Sequence, residues 1–115
     1  MEKIECTEIK EYDNCVKKFF DFKNLRVMIG TNYKDHDGIH KHDLCDQIIF
    51  VISGKLQISV GQDKQVISEN EFMNIPAREW HKVEAVTKET KILVIKIINY
   101  NTDVRKILKE DYIRR

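Results

Sequence analysis

The sequence predicts an all-β fold, a small jelly-roll barrel wound as a double-stranded β-helix and followed by a short C-terminal helix. Three observations carry this reading. Short apolar segments with strand periodicity recur between turn residues; one of them opens on a His40-Lys41-His42 pair; and helical apolar spacing sits at the end of the chain. With 115 residues, 42% of them hydrophobic, the chain is long enough for one core and too short for two ordinary domains, so residues 1–115 are read as a single domain.

Residues 1–24 are expected to form an N-terminal strand or arm. Cys15-Val16-Lys17-Lys18-Phe19-Phe20 reads as a strand, and Ile4 to Ile9 as an edge or exchanged strand. Residues 25–98 form the barrel. Within 25–33, Leu25, Val27, Ile29, Thr31 and Tyr33 alternate onto one face, and Asp35-His36-Asp37-Gly38 then turns the chain into the histidine pair. Residues 47–53 are apolar on both faces, as suits a strand with the core on one side and a partner surface on the other. After Gly54, Leu56, Ile58 and Val60 alternate with Lys55, Gln57 and Ser59, giving one wet face, and Gly61-Gln62-Asp63-Lys64 makes a turn. His81, Val83 and Ala85 alternate with Lys82 and Glu84, which puts His81 on the buried face of its strand.

Residues 91–98 form the last long strand. If it pairs with 81–85 across the 86–90 loop, the register turns Leu93, Ile95 and Ile97 inward and Ile92, Val94, Lys96 and Ile98 outward. That outward β-branched face implies subunit contact. Thr102-Asp103 then offers a helix N-cap, and Val104, Ile107, Leu108 and Tyr112 follow at helical spacing, so residues 102–115 are expected to be the helix.

Composition excludes several classes of function. Lys and Arg number 20 against 19 Asp and Glu, interspersed to a formal net charge of +1, which leaves no electrostatic footprint for nucleic acid or an anionic membrane. No apolar run approaches a membrane span and the first residues lack a signal peptide's apolar stretch, so a cytoplasmic location is expected. Three cysteines without C-x-x-C spacing fit a reducing compartment and no disulfide framework.

On an extended strand alternate side chains share a face, so His40 and His42 bring their imidazoles together as half of a metal site. Gln47 follows five residues on, and His81 ends the segment Pro76-Ala77-Arg78-Glu79-Trp80-His81. The two segments read His40-x-His42-x4-Gln47-x6-Gly54 and Asn70-x5-Pro76-x4-His81, with residues 55–69 between them. This resembles the double signature of the cupins, G-x5-H-x-H-x(3,4)-E-x6-G and G-x5-P-x-G-x2-H-x3-N, over roughly the middle half of the chain. It departs at Lys34, Asn70 and Arg78, which stand at signature glycines, at Gln47 for the Glu and at Ala85 for the Asn. Asn70 is a mild change, because Asn tolerates the left-handed backbone that Gly supplies at a turn.

The resemblance implies one divalent transition metal ion (Fe, Ni, Mn, Cu or Zn) held by His40, His42, Gln47 and His81, a small-molecule ligand or substrate, and a homodimer. Alternatives at the site remain open. Gln47 can instead hydrogen-bond a histidine ring. Cys45 offers a thiolate for a closed His3Cys zinc site, though it is expected to face away from Gln47. His36 is expected at the surface or the mouth of the site, and Trp80 with Tyr33 at its entrance. The expected pocket lining is Tyr33, Ile49, Val51, Val83, Leu93 and Ile95, with no lysine or carboxylate to act as a base.

Three neutral imidazoles and a neutral amide would leave a divalent ion its full charge, suited to polarising a carbonyl or enediol oxygen. The ligand set resembles that of small bacterial cupins that open unsaturated uronate rings and of related cyclases and dioxygenases, although here the last strand is almost wholly aliphatic with Lys96 expected outward. Two functions follow: a metal-dependent isomerase, lyase or dioxygenase acting on a carbonyl-containing or aromatic metabolite, or a non-catalytic cupin module that senses a small ligand or metal.

Overall fold

The computed structural model describes residues 1–99, 101–107 and 111–115. Eleven strands are described: β1 (Glu8–Tyr12), β2 (Cys15–Phe22), β3 (Leu25–Thr31), β4 (His40–His42), β5 (Cys45–Ser53), β6 (Lys55–Val60), β7 (Asp63–Ser68), β8 (Phe72–Ile75), β9 (Lys82–Ala85), β10 (Lys91–Ile98) and β11 (Tyr112–Arg114). Six of them form a sheet in the order β1-β2-β3-β10-β5-β8. The opposing layer is built from β7-β6-β9 and β11-β4, which an antiparallel bridge between His40 and His81 brings side by side. This is the expected jelly-roll barrel. Among the described residues no helix is long and apolar enough to cross a membrane.

The core lies between the layers. Ile49, Val51, Ile92 and Val94 from the large sheet meet Leu56, Ile58, Ile67 and Val83 from the smaller one, all buried. Strand periodicity explains most of this, since β6 buries Leu56 and Ile58 and exposes Lys55, with the wet face as expected.

The last strand corrects the sequence reading. β10 pairs with β5 and β3 instead of with 81–85, in the registers Ile92↔Val51, Val94↔Ile49 and Lys96↔Gln47 on one side and Lys96↔Arg26 on the other. Residues directly opposite in a ladder share a face, so Ile92, Val94 and Lys96 turn inward with Val51, Ile49 and Gln47. Leu93, Ile95 and Ile97 lie on the outer face with Ile48 and Phe50. Leu93 and Ile95 therefore do not line the interior: the partner is β5 and not 81–85, and a register that differs by one residue inverts every side chain.

The C-terminal segment is a second correction. Asp103 does cap a helical turn, accepting a hydrogen bond from the Arg105 amide at 2.9 Å, but Val104–Lys106 is a single 3-10 turn. Leu108 lies outside the described residues. Tyr112-Ile113-Arg114 is a strand that pairs with β4, Tyr112 opposite His42 and Arg114 opposite His40. β4 presents a free edge, and a β-branched residue between two long side chains satisfies that edge better than it continues a helix.

Candidate metal centre

β4 is three residues long and buries both ends, which sets His40 and His42 on one face with Lys41 on the other. The bridge to His81 is a reciprocal pair of backbone hydrogen bonds, His40 N–H to His81 O at 3.0 Å and His81 N–H to His40 O at 2.8 Å. It sets the third imidazole beside the first. Ring centroids stand 4.3 Å apart for His40 and His81, 5.1 Å for His40 and His42, and 5.8 Å for His42 and His81. One nitrogen from each ring lies within 4.8 Å of the other two.

The tautomers follow from the hydrogen bonds. Each Nδ1 faces an oxygen that only accepts: Gly38 O for His40, Asp111 Oδ2 for His42 and Glu79 O for His81, each at 2.9 Å. Nδ1 must carry the proton in all three rings, which leaves every Nε2 with a free lone pair. Burial holds His42 below its ordinary pKa and, helped by the neighbouring imidazoles, brings His81 down to about 4, so these two rings are neutral near pH 7.

The residues fit a metal. His42 Nε2, His81 Nε2 and Gln47 Oε1 are all buried without a hydrogen-bond partner. Orphaned buried acceptors are uncommon in folded proteins, and here two belong to the imidazole cluster while the third, on Gln47, lines the cavity beside it. Gln47, 6% exposed, lies on the inner face of β5 and lines the cavity that His40 and His42 line. Nothing among the described contacts places it as a hydrogen-bond partner of a histidine ring.

Of the competitors, Cys45 stands with His42 and Asp111 in a second buried group whose ligand atoms lie within 4.8 Å of one another. Cys45 shares the inner face of β5 with Gln47, as its i, i+2 spacing requires, so the expected opposite orientation is corrected. Its thiol donates to Asp111 Oδ2 at 3.1 Å, and burial together with that carboxylate pushes its pKa up, keeping it a thiol. His36 stacks on Tyr12 with ring centroids 3.8 Å apart. Trp80 lines a separate cavity together with His81, its ring beneath the cations of Lys41 and Arg115.

A cavity of about 90 Å³ opens beside the cluster, lined by His40, His42, Gln47, Tyr33, Ile49 and Val83, as expected, and also by Lys17 and Lys96, which were not. Val51 packs in the core beyond it. Lys96 stands across the ladder from Gln47, so the reading of an aliphatic pocket without a lysine is corrected. Burial lowers the pKa of both lysines and raises that of the Tyr33 phenol. Two residues were missed for different reasons. Lys96 has the same parity as the buried Ile92 and Val94 and was legible once the partner strand was known. Asp111 lies 69 residues from the His42 it orients, and no spacing rule points to it.

The fold and site define a small β-barrel protein with a buried imidazole cluster at the edge of its core. The chain belongs to the cupins: the cupin domain family matches residues 32–96. Among curated proteins none matches the chain. Among solved structures it is similar to KdgF from Halomonas sp., at 14% identity and TM-score 0.67 over 81% of this chain and 87% of that one. It is similar to Streptomyces Pac13 with uridine, at 10% identity and TM-score 0.74 over 100% of this chain and 92% of that one; Pac13 is a nucleoside dehydratase. A mutant of Bacillus subtilis oxalate decarboxylase has TM-score 0.74 at 10% identity, over 94% of this chain and 30% of the longer one.

Proposed function

We propose that the protein is a metal-dependent enzyme acting on a small carbonyl-containing or aromatic metabolite, with His40, His42, His81 and Gln47 holding one divalent transition metal ion. The observation that carries this is the set of imidazoles whose Nδ1 atoms are all engaged by acceptors, while Nε2 of His42, Nε2 of His81 and the Gln47 oxygen are left buried and unpaired. A bound ion would supply Lewis acidity, polarising a substrate oxygen. Imidazole suits Zn, Cu, Fe and Ni alike, so the ligands do not select among them.

The chain's own groups supply the rest. Lys96 presents its side-chain nitrogen on the ladder row beside Gln47, where it can stabilise negative charge on a bound substrate. Tyr33, held as a phenol by burial, can donate a hydrogen bond to a substrate and takes no part as a base at neutral pH. The presence of an amine in the pocket favours an enzyme over a module that only senses. The same barrel carries an oxalate decarboxylase and a nucleoside dehydratase, so it is a scaffold for varied small-molecule chemistry. We place the protein in solution as a homodimer joined through the outer face of β10 and its neighbours.

Elemental analysis of untagged protein tests the proposal. The parent should hold about one transition metal ion per chain, His42→Ala should lose it while the barrel stays folded by circular dichroism, and Gln47→Ala should hold it more weakly. Metal content that stays negligible after incubation with Mn, Fe, Ni or Zn rejects the site. Undiminished binding by Gln47→Ala removes Gln47 from the ligand set.

A further inference from the structure

The imidazole cavity contains cations with no partner. Lys17 is 5% exposed, and its Nζ lies 5.0 Å from the Tyr33 ring centroid and 5.3 Å from that of Tyr12. Lys96 is half-buried on the inner face of β10. Both line the cavity that His40, His42 and Gln47 line. Among the described residues neither makes an ion pair. Other cations nearby are paired: Arg26 and Lys10, the latter lining the same cavity, reach the Glu8 carboxylate at 3.0 and 3.8 Å, and Arg105 pairs with Asp103 at 2.8 Å. Among the described residues Lys17 and Lys96 have no such carboxylate.

An unpaired buried charge is strongly unfavourable, and two aromatic faces only partly offset the desolvation of Lys17. Asp37 is the one carboxylate lining the cavity, set against Lys10, Lys17 and Lys96, so the lining carries an excess of positive charge even before a metal is counted. Unpaired, desolvated charges lining a cleft are characteristic of ligand-binding sites. The ladder row that holds Lys96 also holds Gln47, so an anion against Lys96 lies next to the metal ligands. The part of the cavity beside the imidazoles, about 90 Å³, is of a size for a compact group.

We propose that this site takes a small organic acid whose carboxylate is held by Lys17 and Lys96 and whose adjoining carbons face the imidazoles. This rests on the reading of the site as a metal-dependent active site and names its substrate class. Lys17 and Lys96 are then the specificity-determining residues, selecting charged acids over their neutral amides.

Calorimetric titration with pyruvate, oxalate, inorganic phosphate and neutral pyruvamide tests it, on the protein both as purified and after metal removal. Pyruvate and oxalate should bind and pyruvamide should not, in either form. Lys17→Met and Lys96→Met should each weaken acid binding at least about tenfold. Their ligand-free melting temperatures should equal or exceed the parent's, because each removes an unpaired buried charge. Pyruvamide binding as well as pyruvate, phosphate outcompeting both acids, or lysine variants that bind like the parent would each overturn the proposal. So would variants that melt lower with binding unchanged, since the lysines would then be structural. Elemental analysis of the same preparations reports separately on the metal: acid binding without metal rejects the ion alone, and metal without acid binding rejects this inference alone.

Discussion

Asp111 does more for the site than any residue outside the imidazole cluster. Its Oδ2 accepts from His42 Nδ1 at 2.9 Å and from the Cys45 thiol at 3.1 Å, while Oδ1 accepts from the Leu44 amide at 2.8 Å. Burial alone would push its pKa up, but hydrogen bonds from His42, Cys45 and Leu44 outweigh it and hold the carboxyl below its ordinary value. The ionised carboxylate fixes His42 with Nε2 turned to the centre. Asp111→Asn puts an NH₂ where one of these donors must be met, so the ring loses its orienting partner or the Leu44 turn loses its acceptor. Removing such a partner typically weakens metal affinity about 10–100-fold. Competition against a chromophoric chelator should show that loss for Asp111→Asn and a larger one for Asp111→Ala; an affinity equal to the parent's would reduce Asp111 to a tail anchor. The three histidines were legible because two share a strand face and the third follows a proline at fixed spacing. Asp111 was not, because its contact depends on where the tail docks.

At the scale of elements, the turns explain how the signature tolerates its departures. Asn70 and Arg78, standing where cupins carry glycine, have φ of 67° and 73°, so the left-handed backbone survives without the glycine; Asn pays little for it and Arg more. Gly54 has no such latitude. Its φ is +88°, and a Cβ there would meet Thr87 Oγ1 at 2.5 Å, Thr90 Oγ1 at 2.7 Å and Thr90 Cα at 2.9 Å. Gly54→Ala should destabilise by about 2 kcal/mol or more, combining left-handed strain with a backbone clash. Gly61→Ala, at φ +61° with nothing within 4 Å, bears the strain alone and should fall short of that. Urea denaturation of the two variants separates the terms, and equal losses would show that the Thr87–Thr90 contact yields freely. Strand periodicity identified β5, β6 and β10 from sequence, but it fixes only which residues share a face. Which face turns inward depends on the partner, and for β10 that partner is β5, some forty residues earlier, not the strand across the nearest loop.

The inverted register of β10 changes the residues of the proposed dimer but strengthens its physical basis. Val94 points into the core and is no probe of an interface. The outer face of the large sheet instead presents Leu93, Ile95 and Ile97 on β10, next to Ile48, Phe50 and Ile52 on β5 and Leu25, Val27 and Ile29 on β3. Phe72, opposite Phe50 on the edge strand β8, is 64% exposed, and Ile52 is 36% exposed. One barrel has one interior, and it is already filled from the other side of these strands. A continuous apolar face on three adjacent strands exceeds what soluble monomers usually leave in water, and each outward aliphatic side chain gains about 1.5–3 kcal/mol when fully buried. A two-fold axis through the sheet covers the same patch on both copies at once. Ile95 lies at its middle, between Ile48 and Val27. Light scattering at micromolar concentration should give about twice the chain mass of 13.7 kDa, and Ile95→Glu should return the monomer mass with the fold retained. A parent that runs as a clean monomer refutes the dimer, and a dimer that survives Ile95→Glu places its interface on another face of the barrel.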